Sequence, residues 1–160
     1  MTTPTFHQVA YVVDDLDDAV RHWADVLGVG PWSVWTMGSD VLHDSMYGGA
    51  PAVFGIRHAL AWSGDVQFEL VEPIEGPSIF SDQLAASGPG LNHVGRLVHD
   101  HAAESARLMA QGYRPLQSAR FGKSADGRFA YFGSPRGDAI VELIQPPSVR
   151  FAPDYVYPEA

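Results

Sequence analysis

The sequence predicts an α+β fold built from two copies of one strand–helix–three-strand unit, and three observations carry that prediction. A histidine opens a strand-like segment in each half, at His7 and at His93. A glutamate lies within a later strand-like segment that ends in proline, Phe68-Glu69-Leu70-Val71-Glu72-Pro73 and Val141-Glu142-Leu143-Ile144-Gln145-Pro146. Between each such pair the apolar residues change from alternation to helical spacing and back again. A chain of 160 residues with 46% hydrophobic content can bury one shared core under both units.

The elements follow in order. Residues 1–5 read as a short frayed lead-in. His7 to Val13 alternates as a strand, with His7, Val9, Tyr11 and Val13 on one face. Asp14-Asp15 offers helix caps, and Leu16, Ala19, Val20, Trp23, Ala24 and Leu27 recur at helical spacing until Gly28 and Gly30 stop the helix. Pro31 to Thr36 reads as a second strand. The stretch from Gly38 to Pro51, rich in Gly, Asp and Ser, reads as an irregular loop over a site. Val53 to Trp62 and Val66 to Val71 are strands joined by Ser63-Gly64-Asp65, which completes a first module over residues 1–73.

Residues 74–90 form the connector, with a short helical pattern from Ser78 to Ala86. The second module, residues 91–147, repeats the order: strand His93 to Val98, helix Ala103 to Gln111 closed by Gly112, strand Tyr113 to Ala119, then a hairpin of Phe129 to Phe132 and Ala139 to Ile144. The tail, residues 148–160, has no periodicity. Its aromatics Phe151, Tyr155 and Tyr157 pack either on the chain itself or on a partner subunit. Glu69 follows His7 by 62 residues and Glu142 follows His93 by 49, and most of the difference falls in the Gly38–Pro51 stretch.

Composition narrows the function. Ten Lys+Arg against nineteen Asp+Glu give a net charge of −9, which excludes nucleic acid and anionic membrane surfaces as the main partners. Arg114, Arg120, Lys123, Arg128 and Arg136 concentrate five of the basic residues in the second half, as a solvated face or a rim for an anionic group. With zero cysteines, disulfides, thiolate ligands and a cysteine nucleophile are excluded. No membrane-spanning run and no signal-like start is present, so the expected location is the cytoplasm.

The two histidines and two glutamates carry the chemistry. A carboxylate between apolar neighbours is costly to bury unless paired or bound to a cation. Two imidazoles and two carboxylates around one divalent ion satisfy that cost with no net charge, and the set suits Mn, Fe, Co, Ni or Zn. A structural His–Glu network is the alternative. An octahedral ion so held keeps two positions open for substrate oxygens, and a neighbouring carboxylate can move the proton alpha to a carbonyl.

On these residues the chain resembles the vicinal oxygen chelate superfamily, which includes glyoxalase I, methylmalonyl-CoA epimerase, extradiol dioxygenases and bleomycin-resistance proteins. The segments His7 to Leu16 and Gly88 to Val94 look most like the epimerase branch. The resemblance implies two βαβββ modules forming a curved, cup-shaped mixed β-sheet around one divalent metal ion held by His7, Glu69, His93 and Glu142. It further implies a homodimer.

Departures from the family narrow the reaction. Bacterial glyoxalase I grips glutathione with an Arg and an Asn where this chain has Tyr11 and Pro73. The epimerases use Gln at the second ligand position and a separate Glu as base. Here that ligand is Glu69, and the segment Ser45 to His58 contains no Glu, leaving Asp44, Tyr47 or His58 as substitutes. The dioxygenases bind iron with two His and one carboxylate, and a fourth ligand would close one of their open positions. The expected function is a metal-dependent isomerase, epimerase or lyase acting through an enolate of a small carbonyl or carboxylate, with acyl-CoA included. Glu142 and Glu69 serve as proton carriers, and Tyr11, Trp35, Tyr47, His58 and Tyr131 line the substrate pocket. The alternative is a non-catalytic module that holds an apolar ligand in an aromatic cleft of Trp32, Trp35, Phe54 and Trp62.

Overall fold

The computed structural model describes residues 5–159, so most of the expected lead-in lies outside the described residues. Eleven strands form one mixed sheet in the order β11-β2-β5-β6-β1-β7-β10-β9-β8-β3-β4. The first module supplies β1 (Gln8–Val12), α1 (Leu16–Asp25), β2 (Trp32–Met37), β3 (His43–Tyr47), β4 (Ala50–Pro51), β5 (Gly55–Ser63) and β6 (Val66–Glu75). After α2 (Ile79–Ala86), the second supplies β7 (Gly90–Leu97), α3 (His101–Ala110), β8 (Arg114–Phe121), β9 (Gly127–Gly133) and β10 (Ile140–Gln145), and β11 (Tyr155–Tyr157) lies in the tail. The β2-β5-β6-β1 half meets the β7-β10-β9-β8 half through the antiparallel pair β1/β7. Each half also contains a parallel pair, β1/β6 and β7/β10, which the intervening helices make possible.

The helices begin where their capping chemistry places them. The Asp15 carboxylate accepts from the Asp18 N–H at 3.0 Å, and Asp100 accepts from the Ala103 N–H at 2.9 Å. Ser78 and Ser81 cap α2 reciprocally. Helix α1 seals the outer face of the first half, where Leu16 and Val20 bury against Val34, Ala59 and Leu70. Helix α3 does the same for the second half through Leu108 against Phe132 and Leu143.

A third core occupies the inner face. Met37 and Ile56, from β2 and β5, share it with Ala119 and Phe129, from β8 and β9. Those strands are far apart in the sheet order, so the sheet curls to bring them into one cluster, and a concave cup results.

One segment departs in part from the sequence reading. Gly38 to Pro51 is an irregular loop only over residues 38–42, where Asp40 and Val41 line a cavity in the cup; beyond it β3 and β4 form a hairpin whose first strand pairs with β8, with Met46 opposite Ser118 and Tyr47 opposite Gln117. First-module residues thus extend the second module's edge. The tail packs on its own chain, where β11 pairs with β2 and Tyr157 bonds to Asp25 of α1.

Candidate metal centre

Strand register decides which side chains enter the cup. Ala10 lies beside Glu69 on one flank and His93 on the other, and Gly95 lies beside Glu142. Paired residues in a sheet project to the same face. Gln8, Gln67, Glu69, His93 and Glu142 therefore share the inner face, joined by His58 and Trp35 from β5 and β2 and by Tyr131 from β9.

Ligand atoms of Glu69, His93 and Glu142 come together within 4.8 Å, and all three residues are buried. The His93 Nε2 lies 3.1 Å from Glu142 Oε2 and 3.2 Å from Glu69 Oε2. On its other side, Nδ1 lies 2.8 Å from Asn92 Oδ1, while the Asn92 amide nitrogen donates to Gln83 Oε1 of α2 at 3.0 Å. That chain makes Nδ1 the donor, so Nε2 faces the carboxylates with its lone pair free for an ion. The ring is wedged between Tyr131 at 4.9 Å and Phe80 at 6.1 Å between centroids.

Burial disfavours charge on His93, but hydrogen bonds and attraction from Glu142 and Glu69 overcome it and raise its pKa to about 9. Burial likewise opposes ionisation of Glu69, yet its hydrogen bonds to His58 and His93 hold it at about 2. Glu142 is shifted up, first by burial, against the pull of His93. The His58 Nδ1 reaches Glu69 Oε1 at 2.8 Å, and Tyr131 hydrogen-bonds to Glu142. Burial raises the tyrosine's own pKa well above its ordinary range.

The donor set fits a divalent ion. Two carboxylates and one imidazole suit the middle and harder first-row ions, and the buried Glu69 Oε2 has only the His93 Nε2, at 3.2 Å, facing it. Above the cluster opens a cavity of about 590 Å³, walled by Trp35, Leu60, Trp62, Phe121, Phe129 and Ile144 among others. Its size is that of a small-molecule site.

Not every expected residue reaches this centre. His7 precedes β1, lies half-buried at the cavity and stacks on Trp62 at 6.1 Å. Its ligand atoms are not part of the cluster, because it falls one residue before the inward-facing position. Tyr11 points to the outer face and packs on Trp23 of α1 at 5.4 Å, since it alternates out of register with Gln8 and Ala10. Tyr47 bonds to Asp82 of α2 and is not part of the cavity wall, because its strand joins the far edge of the sheet. Asp44 pairs with Arg120 at 3.0 Å on the surface. Trp35, His58 and Tyr131 do line the cavity, whereas Trp32 and Phe54 are core residues of the outer and inner clusters. Of the basic stretch, Arg120 pairs with Asp44 and Arg136 with Asp138, while Lys123 lines the cavity.

Sequence reasoning missed Gln8, which is 4% exposed on the inner face. The helix caps held the signal. Asp15 and Asp100 occupy equivalent positions, and counting back seven residues from each arrives at Gln8 and His93, not at His7.

Two βαβββ modules thus form a cupped sheet with a buried His/Glu cluster at their junction. The sequence pattern of the glyoxalase/bleomycin resistance protein/dioxygenase superfamily matches residues 7–132, and the chain belongs to that superfamily. No curated protein sequence matches it. Among solved structures it is similar to methylmalonyl-CoA epimerase from Mycobacterium tuberculosis, with 25% identity, 92% of each chain covered and a TM-score of 0.66. A variant of the Streptomyces coelicolor methylmalonyl-CoA epimerase in complex with 2-nitronate-propionyl-CoA shares 20% identity over 89% of this chain and 98% of that one, with a TM-score of 0.64. A methylmalonyl-CoA epimerase bound to methylmalonyl-CoA and NH4+ shares 19% identity over 93% and 99%, with a TM-score of 0.66.

Proposed function

We propose that the chain is a metal-dependent epimerase or isomerase that moves the proton alpha to a carbonyl or carboxylate through an enolate. The carrying observation is the buried Glu69/His93/Glu142 cluster at an apolar cavity of about 590 Å³. These residues would hold one divalent ion, which when bound supplies Lewis acidity to the substrate oxygens.

The protein's own groups do the rest. Apolar walls from Leu60, Phe129 and Ile144 exclude water and strengthen each electrostatic contact. Glu142, hydrogen-bonded by Tyr131, and Glu69, hydrogen-bonded by His58, are the carboxylates that take the alpha proton. Two groups on one inner face permit removal of the proton on one side of the enolate and return on the other, which inverts the centre. His58 lines the cavity beside Glu69, within the segment where the epimerases place their separate base.

The cluster's single imidazole and two carboxylates invert the two-His, one-carboxylate set of the dioxygenases, which disfavours ring cleavage. The rival is a non-catalytic binding module, favoured by the Trp35 and Trp62 wall. The similar epimerase structures make methylmalonyl-CoA the first probe. Proton NMR in deuterated water reads exchange of its alpha proton. Exchange that stops on chelation supports the proposal. No exchange with this probe or with a panel of alpha-substituted acyl thioesters and free acids, with ligand binding indifferent to chelator, supports the binding module.

A further inference from the structure

We infer that Gln8, through its side-chain carbonyl oxygen, is the fourth protein donor of the centre, and that an oxygen-rich set of Gln8, Glu69, Glu142 and His93 biases it toward a harder ion such as Mn2+. The inference deepens the proposed function and rests on its metal centre.

Gln8 projects into the cup in register with Gly95, the residue beside Glu142. Its amide nitrogen donates to Gln67 Oε1 at 3.1 Å, which leaves Oε1 buried with no hydrogen-bond partner. A buried acceptor left unmatched is destabilising. No donor of the centre is free to match it: His93 Nδ1 is turned to Asn92, and Nε2 to the two carboxylates. Glu69 Oε2, on the same inner face, has only the His93 Nε2 at 3.2 Å facing it.

An unmatched buried acceptor that shares the inner face with Glu69, His93 and Glu142 calls for a cation. Gly95 fits this account, because a Cβ there would fall on Gln8 Oε1 and displace the amide from the face of the strand. The caps independently make Gln8 the counterpart of His93. An amide oxygen in place of an imidazole changes the preference. Carbonyl and carboxylate oxygens suit Mn2+ and Mg2+, whereas imidazole favours Ni2+ and Zn2+.

The test uses chelator-stripped full-length protein titrated with Mn2+, read by the electron paramagnetic resonance signal of the free aquo ion, with Ni2+ measured by competition. Even outer partners of a metal are worth about 10–100-fold in affinity. Gln8→Ala should weaken Mn2+ binding by at least about tenfold, whereas His7→Ala should change it by less than about twofold, as for a residue outside the shell. Gln8→His should shift the preference toward Ni2+ over Mn2+ by about tenfold or more, and it decides the matter if Gln8→Ala fails to fold. Loss of the ion in His7→Ala, with Gln8→Ala and Gln8→His behaving as wild type, would overturn the assignment and leave the metal centre standing. A wild-type protein that binds neither ion would overturn the metal centre itself, and this inference with it.

Discussion

Replacing His93 with alanine in the ion-free protein removes the positive charge that lies between Glu69 and Glu142. Both carboxylates are only 5% exposed and the imidazole 2%, so solvent cannot substitute for it. Breaking a buried ion pair while leaving its partner charged costs about 3–5 kcal/mol. The lost ring also leaves a gap against Phe80 and Tyr131, which adds to that figure. At about 2–4 °C per kcal/mol for a chain of this size, the melting temperature should fall by roughly 6–20 °C. Urea unfolding at pH 7 in excess chelator, followed by tryptophan fluorescence, measures the loss directly. Adding Glu142→Gln to His93→Ala should recover part of it, because only one charge then remains. The loss should also shrink at pH 5, as the carboxylates take up protons. A loss below about 1 kcal/mol, of the size an exposed pair gives, or a double variant weaker than the single one, would refute the electrostatic argument.

Four further outcomes follow from the same geometry. His93, raised to about 9, contributes stability that is complete below pH 6.5 and is lost as pH climbs to about 9. Glu69, depressed to about 2, contributes stability that is complete above pH 4.5 and is lost as pH falls to about 2. Ion-free protein should therefore be most stable between pH 4.5 and 6.5, as chemical unfolding across pH would show, with the raised value of Glu142 favouring the acid side of that window. Because an entering ion must displace the His93 proton, calorimetry should find about one proton released and affinity rising about tenfold per pH unit from 7 to 9. Asn92→Ala frees the His93 tautomer and should weaken metal binding by about 10–100-fold while leaving the fold intact by circular dichroism. Gly95→Ala pushes Gln8 aside and should cost about 1–3 kcal/mol in urea unfolding together with part of the Mn2+ affinity.

The duplicated modules were legible because hydrophobic period and turn residues agree over whole segments, as from Val9 through the helix to Leu27. Glu69, His93 and Glu142 were legible because charge within an apolar strand is conspicuous. The inward position of β1 was not, because His7, one residue before the inward Gln8, carries the more conspicuous chemistry. Strand parity, anchored on the Asp15 and Asp100 caps, resolves it. The β3–β4 hairpin escaped because its pairing with β8 is non-local, and Gly- and Asp-rich sequence favours turns over strands. Tyr11 and Tyr47 misled for the same reason: a residue type suits a pocket, but only register and partner strand decide which face it occupies. Phe80 and Asn92, which hold the His93 ring, carry no chemistry that a sequence pattern would single out.

The most direct test of the central claim is the metal content of untagged protein by inductively coupled plasma mass spectrometry, wild type beside His93→Ala. The account predicts about one divalent ion per chain in the wild type, as one coordinating cluster requires, and its loss in the variant. An ion retained by His93→Ala, or none in the wild type even after reconstitution, would contradict it.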